Sequence, residues 1–255
     1  MATGLNDEFQ AGTLDVPGPT GALGVPGIVA ELRAARERWR TAQNRLQEVG
    51  GRELPSREAL AAVVGQLRGA LFPMRLGPPE LRPQEEDRHV SHTLRQTLLF
   101  LEGLIRLELQ YDARVRGAEL TEGPHIAELA RQRARDFAGT LPMVRAELDA
   151  DLAAAFRQES GVRSMDEMLL WHPGMRALLV HRLAHRLHQA GLPLLARMAA
   201  ELARVRTGID IHPAARVGAG CALQRATGVV IPETAVILPG ALIDGHRSLT
   251  GWQAA

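Results

Sequence analysis

Three histidines, His181, His185 and His188, recur at i, i+4 and i+7, the spacing at which imidazoles on one helical face can chelate zinc. No thiolate or close carboxylate completes that ligand set, and Arg182 and Arg186 interleave with the rings. The expectation is therefore no metal site. Cys221 is the single cysteine, which excludes an intrachain disulfide framework and suits a reducing compartment. It lies inside a repeat, where a small buried residue is expected rather than a reactive thiol. Asp210 and His212 stand two apart in an extended pattern, so their side chains share one face.

The elements that must position these groups are of two kinds. From Ile211 every sixth residue is apolar: Ile211, Val217, Leu223, Val229, Ala235 and Ala241. Glycines and turn formers fall between them. A period of six suits neither a helix nor an alternating strand. It suits a parallel β-helix whose flat faces each take one hexapeptide, and this run makes about two coils of a three-sided prism.

Upstream the period is helical. Leu32, Ala35, Trp39, Ala42, Leu46 and Val49 line one helix face, ended by Gly50 and Gly51. Ser56 opens a second helix with Leu60, Val63, Val64, Leu67 and Leu71 buried, closed by Pro73. Leu94, Leu98, Leu101 and Ile105 mark a longer helix. Ile126, Leu129, Ala130 and Phe137 mark another, and Leu141, Val144, Leu148 and Leu152 one more. His172-Pro173-Gly174 is a break before the histidine-bearing helix, and a last helix with Leu195, Met198 and Leu202 feeds Thr207-Gly208. Each stripe needs a partner, which predicts a helical bundle.

The 30 basic residues against 29 acidic ones exclude a basic nucleic-acid footprint on the whole chain. The arginines follow helical patterns, where solvated faces are the default. No run of apolar residues is long enough to span a membrane, and no secretory signal is visible near Met1. The expectation is a soluble, cytoplasmic protein.

The segment TGIDIHPAARVGAG, followed by ATGVVIPETAVI, resembles the serine O-acetyltransferases, and so do LPSREALAAVV, LRGALFP, HTLRQTL and HPGMRALLVHRLAHRLHQAGLPLLARMAAELA. The resemblance covers residues 30 to 238. It implies an α+β fold, an N-terminal α-helical bundle followed by a short left-handed parallel β-helix. It also implies attack of the L-serine hydroxyl on the acetyl-CoA thioester, giving O-acetylserine and free CoA for cysteine biosynthesis. In the family a histidine is the general base and an aspartate orients it. Acetyl-CoA is a co-substrate, with no bound cofactor and no metal.

Carried over by position, the orienting aspartate is Asp210, which is retained. The family sequence Asp-His-Ala/Gly-Thr-Gly reads Gln224-Arg225-Ala226-Thr227-Gly228 here. Arg225 thus occupies the general-base position, and arginine has no lone pair to accept a proton at neutral pH. Gln224 replaces an aspartate that helps hold the substrate serine. A third family aspartate falls on Glu159. His212 is no replacement base, since it shares a face with Asp210. In the family the hexapeptides continue for further coils, whereas here the period fails at Arg247, which reads as a C-terminal truncation.

These readings predict a disordered leader over 1–27, a helical domain over 28–206, a shortened hexapeptide prism over 207–246 and an irregular tail over 247–255. They predict a serine O-acetyltransferase by descent, inactive or strongly impaired. The alternative is a non-catalytic homologue acting through association, or the product of a decaying gene. The partners implied are L-serine and acetyl-CoA for an active copy and a homo-oligomer through the helical domain, with neither nucleic acid nor membrane.

Overall fold

A computed structural model describes residues 24–42, 53–116 and 124–245, and the backbone of 252–254. Leu46, Val49, Gly50, Gly51, Arg247 and most of the leader and tail lie outside the described residues. The chain divides into two compact units, 1–51 and 52–255. In the first, helix α1 (Val25–Ala42) buries none of its residues, and Leu32 and Trp39 stand about half exposed.

The second unit begins with α2 (Arg57–Leu71), capped by Ser56, whose hydroxyl accepts from the Ala59 amide at 3.2 Å. Its predicted stripe, Leu60, Val63, Val64, Leu67 and Leu71, is buried. A short turn of helix, α3 (Pro73–Leu76), and a 3₁₀ turn (Pro83–Glu85) lead to α4 (Glu86–Val115). The two stripes read as separate helices, one around Phe137 and one around Val144, lie on a single long helix, α5 (Pro124–Gln158), with Pro142 inside it. Proline removes one intrahelical donor. The buried face runs unbroken from Ile126 through Phe137, Leu141, Val144 and Leu148 to Ala155, and its packing holds the helix through that point. α2 packs on α4, and α4 on α5.

Two shorter connections set the geometry of the site. α6 (Met165–Trp171) ends at His172, which is also the N-cap of α7 (Pro173–Gln189), its Nδ1 accepting from the Met175 amide at 3.2 Å. Gly174 in the first turn of α7 abuts strand residue Leu223, and a Cβ there would collide with the Leu223 carbonyl. α8 (Pro193–Thr207) has no capping side chain of its own. The carboxylate of Glu108, reaching across from α4, accepts from Leu194 N at 2.8 Å and Leu195 N at 3.0 Å. A negative charge at the positive end of a helix is favourable, so this buried acid has a structural use. α7 and α8 pack closely against each other.

After Gly208, which closes α8 in the left-handed conformation, the prism begins. β1 (Asp210–Ile211) pairs in parallel with β4 (Val230–Ile231). β2 (Arg216–Val217) pairs with β5 (Ala235–Ile237), and β3 (Ala222–Gln224) with β6 (Leu242–Asp244). Two coils therefore stack, as the repeat predicts, but the register differs. Ile211 lies over Ile231, Val217 over Ile237 and Leu223 over Ile243. The step from Leu223 to Ile231 exceeds a hexapeptide by two residues, and the excess falls at the corner holding Arg225 and Gly228, both at positive φ. Ala235 and Ala241, like Ala215 and Cys221 in the coil below, sit two residues ahead of the stacked ones. Ala235 is buried and Val229 half-buried. In the tail, β7 (Trp252–Ala254) lies antiparallel to β5.

A buried ion pair ties the helices to the prism. Arg182 of α7 and Asp151 of α5 are 4% and 0% exposed and meet through two hydrogen bonds of 3.0 and 2.9 Å. Arg182 also donates to the carbonyls of Val217 and Gly218, and Asp151 accepts from the Cys221 amide. His185 Nδ1 contacts the Pro213 carbonyl at 2.7 Å, so it donates there.

Candidate functional site

The corner after β3 collects most of the chemistry-bearing residues picked out in the sequence. Gln224 ends β3 and turns its amide toward the C-terminal end of α5. Its Nε2 donates to the Gln158 carbonyl at 2.7 Å and to Glu159 Oε1 at 3.5 Å. The same Glu159 oxygen lies 3.3 Å from His172 Nε2. The sequence marks His172 only as a break between helices, yet it is the buried group beneath this corner. Its Nδ1 accepts a backbone hydrogen bond, so in the neutral ring the proton sits on Nε2 and is donated to Glu159. Burial pushes the His172 pKa down, and Glu159 pulls it partly back. The ring is a neutral donor whose lone pair is already engaged, and it positions Glu159 rather than taking a proton.

Arg225 stands at φ 42°, a left-handed conformation that favours glycine. Its guanidinium turns to the next coil and pairs with Asp244, Nη2 to Oδ2 at 2.5 Å and Nε to Oδ1 at 3.3 Å. Asp244 is 7% exposed and Arg225 62%. Hydrogen bonding to Asp244 raises the arginine pKa further above its ordinary value. No motif in the sequence points to Asp244. It stands over Gln224 in the β3–β6 register, a relation that counting in sixes hides, because the coil carries the two extra corner residues.

Asp210 is not brought into this cluster by any side-chain bond. It lies half-buried on β1, lining an open cleft of about 390 Å³ with Arg57, Arg197 and Glu201. His212 beside it accepts from the Ala214 amide through Nδ1 at 3.1 Å, and its pKa is lowered, chiefly by burial. His181 and His185 stack obliquely with ring centroids 5.7 Å apart, and His188 faces His212. Among the described residues no group of three or more His, Cys, Asp or Glu side chains is placed to hold a metal ion. Cys221 is buried, its thiol donating to the Leu238 carbonyl at 3.3 Å, and burial pushes its pKa up. Among the described residues no helix is long and apolar enough to cross a membrane.

Similarity to known proteins follows the same two-part architecture. The plasmid-encoded serine acetyltransferase of Synechococcus elongatus is 41% identical over 184 residues, covering 72% of this chain and 58% of that protein. The chain is a serine acetyltransferase homologue. The serine acetyltransferase of Synechocystis is 44% identical over 104 residues, which cover 41% of this chain and 42% of that one. The chain thus spans little more than half the length of the first relative, and the match to the second covers about two fifths of it. No protein-family model matches. In three dimensions the serine acetyltransferase 1 of Entamoeba histolytica aligns with TM-score 0.59 at 22% identity, covering 78% of this chain and 65% of that one. That likeness is one of fold: a helical domain leading into a left-handed parallel β-helix.

Proposed function

We propose that this homologue is catalytically silent, or nearly so, toward serine acetylation at its own corner site. The observation that carries the reading is the ion pair between Arg225 and Asp244. Acetyl transfer to L-serine needs a base near neutral pKa to take the hydroxyl proton as it attacks the acetyl-CoA thioester. The residue at the position that the family resemblance gives to the base is a guanidinium, held protonated by its carboxylate partner. Gln224 offers a neutral amide where a carboxylate would attract the serine ammonium. Glu159 retains an acidic side chain but is engaged by His172 and Gln224. Asp210, the orienting aspartate in this reading, has no histidine at residue 225 to orient.

Serine and acetyl-CoA remain the compounds against which the reading is tested. Protein held with both is analysed for O-acetylserine by mass spectrometry against a protein-free blank. The expected result is product at the blank level, and product in clear excess overturns the proposal. The single buried cysteine suits a reducing cytoplasm.

Association through the helical domain is the second part of the proposal. Leu99 and Phe100 on α4 are 63% and 69% exposed, and Phe100 borders an apolar groove of about 520 Å³ between α2 and α4. Exposed apolar surface of this kind favours contact with another chain. Light scattering that returns a monomer at micromolar concentration would remove this part and leave the first intact.

A further inference from the structure

Where α2, α7 and α8 converge, away from the corner site, three arginines line one narrow cleft. Arg68, Arg176 and Arg206 share it with Gly65, Val180 and Leu202, and its volume is about 150 Å³. What sets the cleft apart is the convergence of three guanidiniums, one of them half-buried with an unmet donor. Arg75, Arg114, Arg131, Arg145 and Arg182 each meet a carboxylate. Among the described residues none of the cleft arginines forms an ion pair. Arg68 and Arg176 are half-buried, and Arg206 stands exposed at the rim. The Nε of Arg68 is buried without any hydrogen-bond partner. A buried donor left unmade is costly, and like charges converging in a partly desolvated cleft add to that cost. Burial and the guanidiniums of Arg176 and Arg206 lower the Arg68 pKa, the signature of a cation with no nearby counter-charge.

We infer that this cleft is a binding site for a tetrahedral oxyanion, a phosphate or the terminal phosphate of a small ester. Guanidiniums present planar forks of N–H donors that match such oxygens, and three of them suit a dianion better than a single carboxylate. Size narrows the class. Pockets that enclose whole drug-sized molecules run to roughly 300–1,000 Å³, so a cleft of this volume takes the head group and leaves any larger remainder at the rim beside Arg206. The apolar wall from Val180 and Leu202 offers no competing acceptor. Bound phosphate would meet the unpartnered Arg68 Nε–H and neutralise the charge cluster, stabilising the folded chain by mass action.

The test is thermal unfolding of the full chain in inorganic phosphate against chloride at matched ionic strength. Phosphate is kept in the low millimolar range, where general salting effects on burial are small. The expected result is a saturable rise in Tm that chloride does not give. Arg206→Gln, a change at an exposed side chain, should cut the rise to a fraction. Gly65→Leu should abolish it, because a side chain there grows into open space and fills the cleft while improving helix propensity. Arg68→Met should raise the Tm without phosphate and remove the response to it, since the like-charge repulsion is gone. If that variant fails to fold, the other two still decide. Glycerol phosphate is the second arm: a rise equal to that with phosphate means that the site accepts an ester, and a rise with the free ion alone confines it to that ion. Equal Tm values in phosphate and chloride overturn the proposal. So does a phosphate response retained by both Arg206→Gln and Gly65→Leu.

Discussion

Two arginine–aspartate pairs sit on opposite margins of the prism's role, and their surroundings give the same chemistry different consequences. Arg182–Asp151 is sealed between α5, α7 and the first coil, with the guanidinium donating to Asp151 and to the Val217 and Gly218 carbonyls and its Nη1 3.7 Å from Glu147. Arg225–Asp244 lies at a coil corner with the guanidinium largely in water. The first holds the helices and the prism in register. The second contributes little to the fold and, in the reading proposed above, puts a guanidinium where acyl transfer would need a base. An ion pair's worth is set by what else its partners can find: the Arg225 guanidinium finds water at the corner, whereas both partners at the junction are sealed from it.

The largest expected effect comes from breaking the buried pair. Arg182→Met leaves the Asp151 carboxylate uncompensated and the Val217 and Gly218 carbonyls without that donor, and should cost about 3–5 kcal/mol of stability in urea unfolding. Replacing both partners, Asp151→Leu with Arg182→Met, should recover part of that loss but not all, because the Val217 and Gly218 carbonyls stay unmet. A single variant unfolding within about 1 kcal/mol of the parent would erase the distinction between the two pairs.

Acid separates the regions next. His181 lies beside Arg182 in α7, fully buried, and burial followed by repulsion from His185 and Arg182 holds its pKa well below the ordinary 6.5. His172 and His185 are lowered too, chiefly by burial. A histidine whose folded pKa is depressed contributes stability that is present above its unfolded pKa and lost as pH falls toward the folded value. Stability should therefore decline below pH 6.5, with a slope of up to about 1.4 kcal/mol per pH unit for each ring that stays neutral. Unfolding measured over a pH series should show a shallower acid limb for His181→Phe. An unchanged limb would mean that another group governs the junction's response to acid.

The smallest effects belong to the corner. Arg225→Ala should shift the denaturation midpoint only slightly, as for a pair with one partner in water. Arg225→Gly should be nearer neutral, since glycine adopts the positive φ without strain. Chemical denaturation of the two variants side by side checks the order, and alanine proving the more stable would show that the left-handed corner carries no strain.

The apolar stripes and the six-residue period made the two-part fold legible, because helix and prism repeats leave periodic traces. Long-range relations were not. Pro142 suggested a break that the continuous buried face of α5 overrides. The two corner residues that shift the second coil cannot be seen by counting sixes, so Asp244 over Gln224 was missed and Val229 was assigned a stacking place that Ile231 holds. Gln224, Arg225 and Glu159 were visible as departures from a motif. That Arg225 pairs with Asp244, and that His172 lies under Glu159, depends on contacts between residues far apart in the chain.

The central claim, that the corner holds an ion pair in place of a base, is tested most directly by initial rates. Thiol release from acetyl-CoA is followed with and without L-serine for the parent chain and Arg225→Ala. Both proteins should give serine-dependent rates equal to buffer. A parent rate above buffer that falls in Arg225→Ala would contradict the account, because residue 225 would then be taking part in the chemistry.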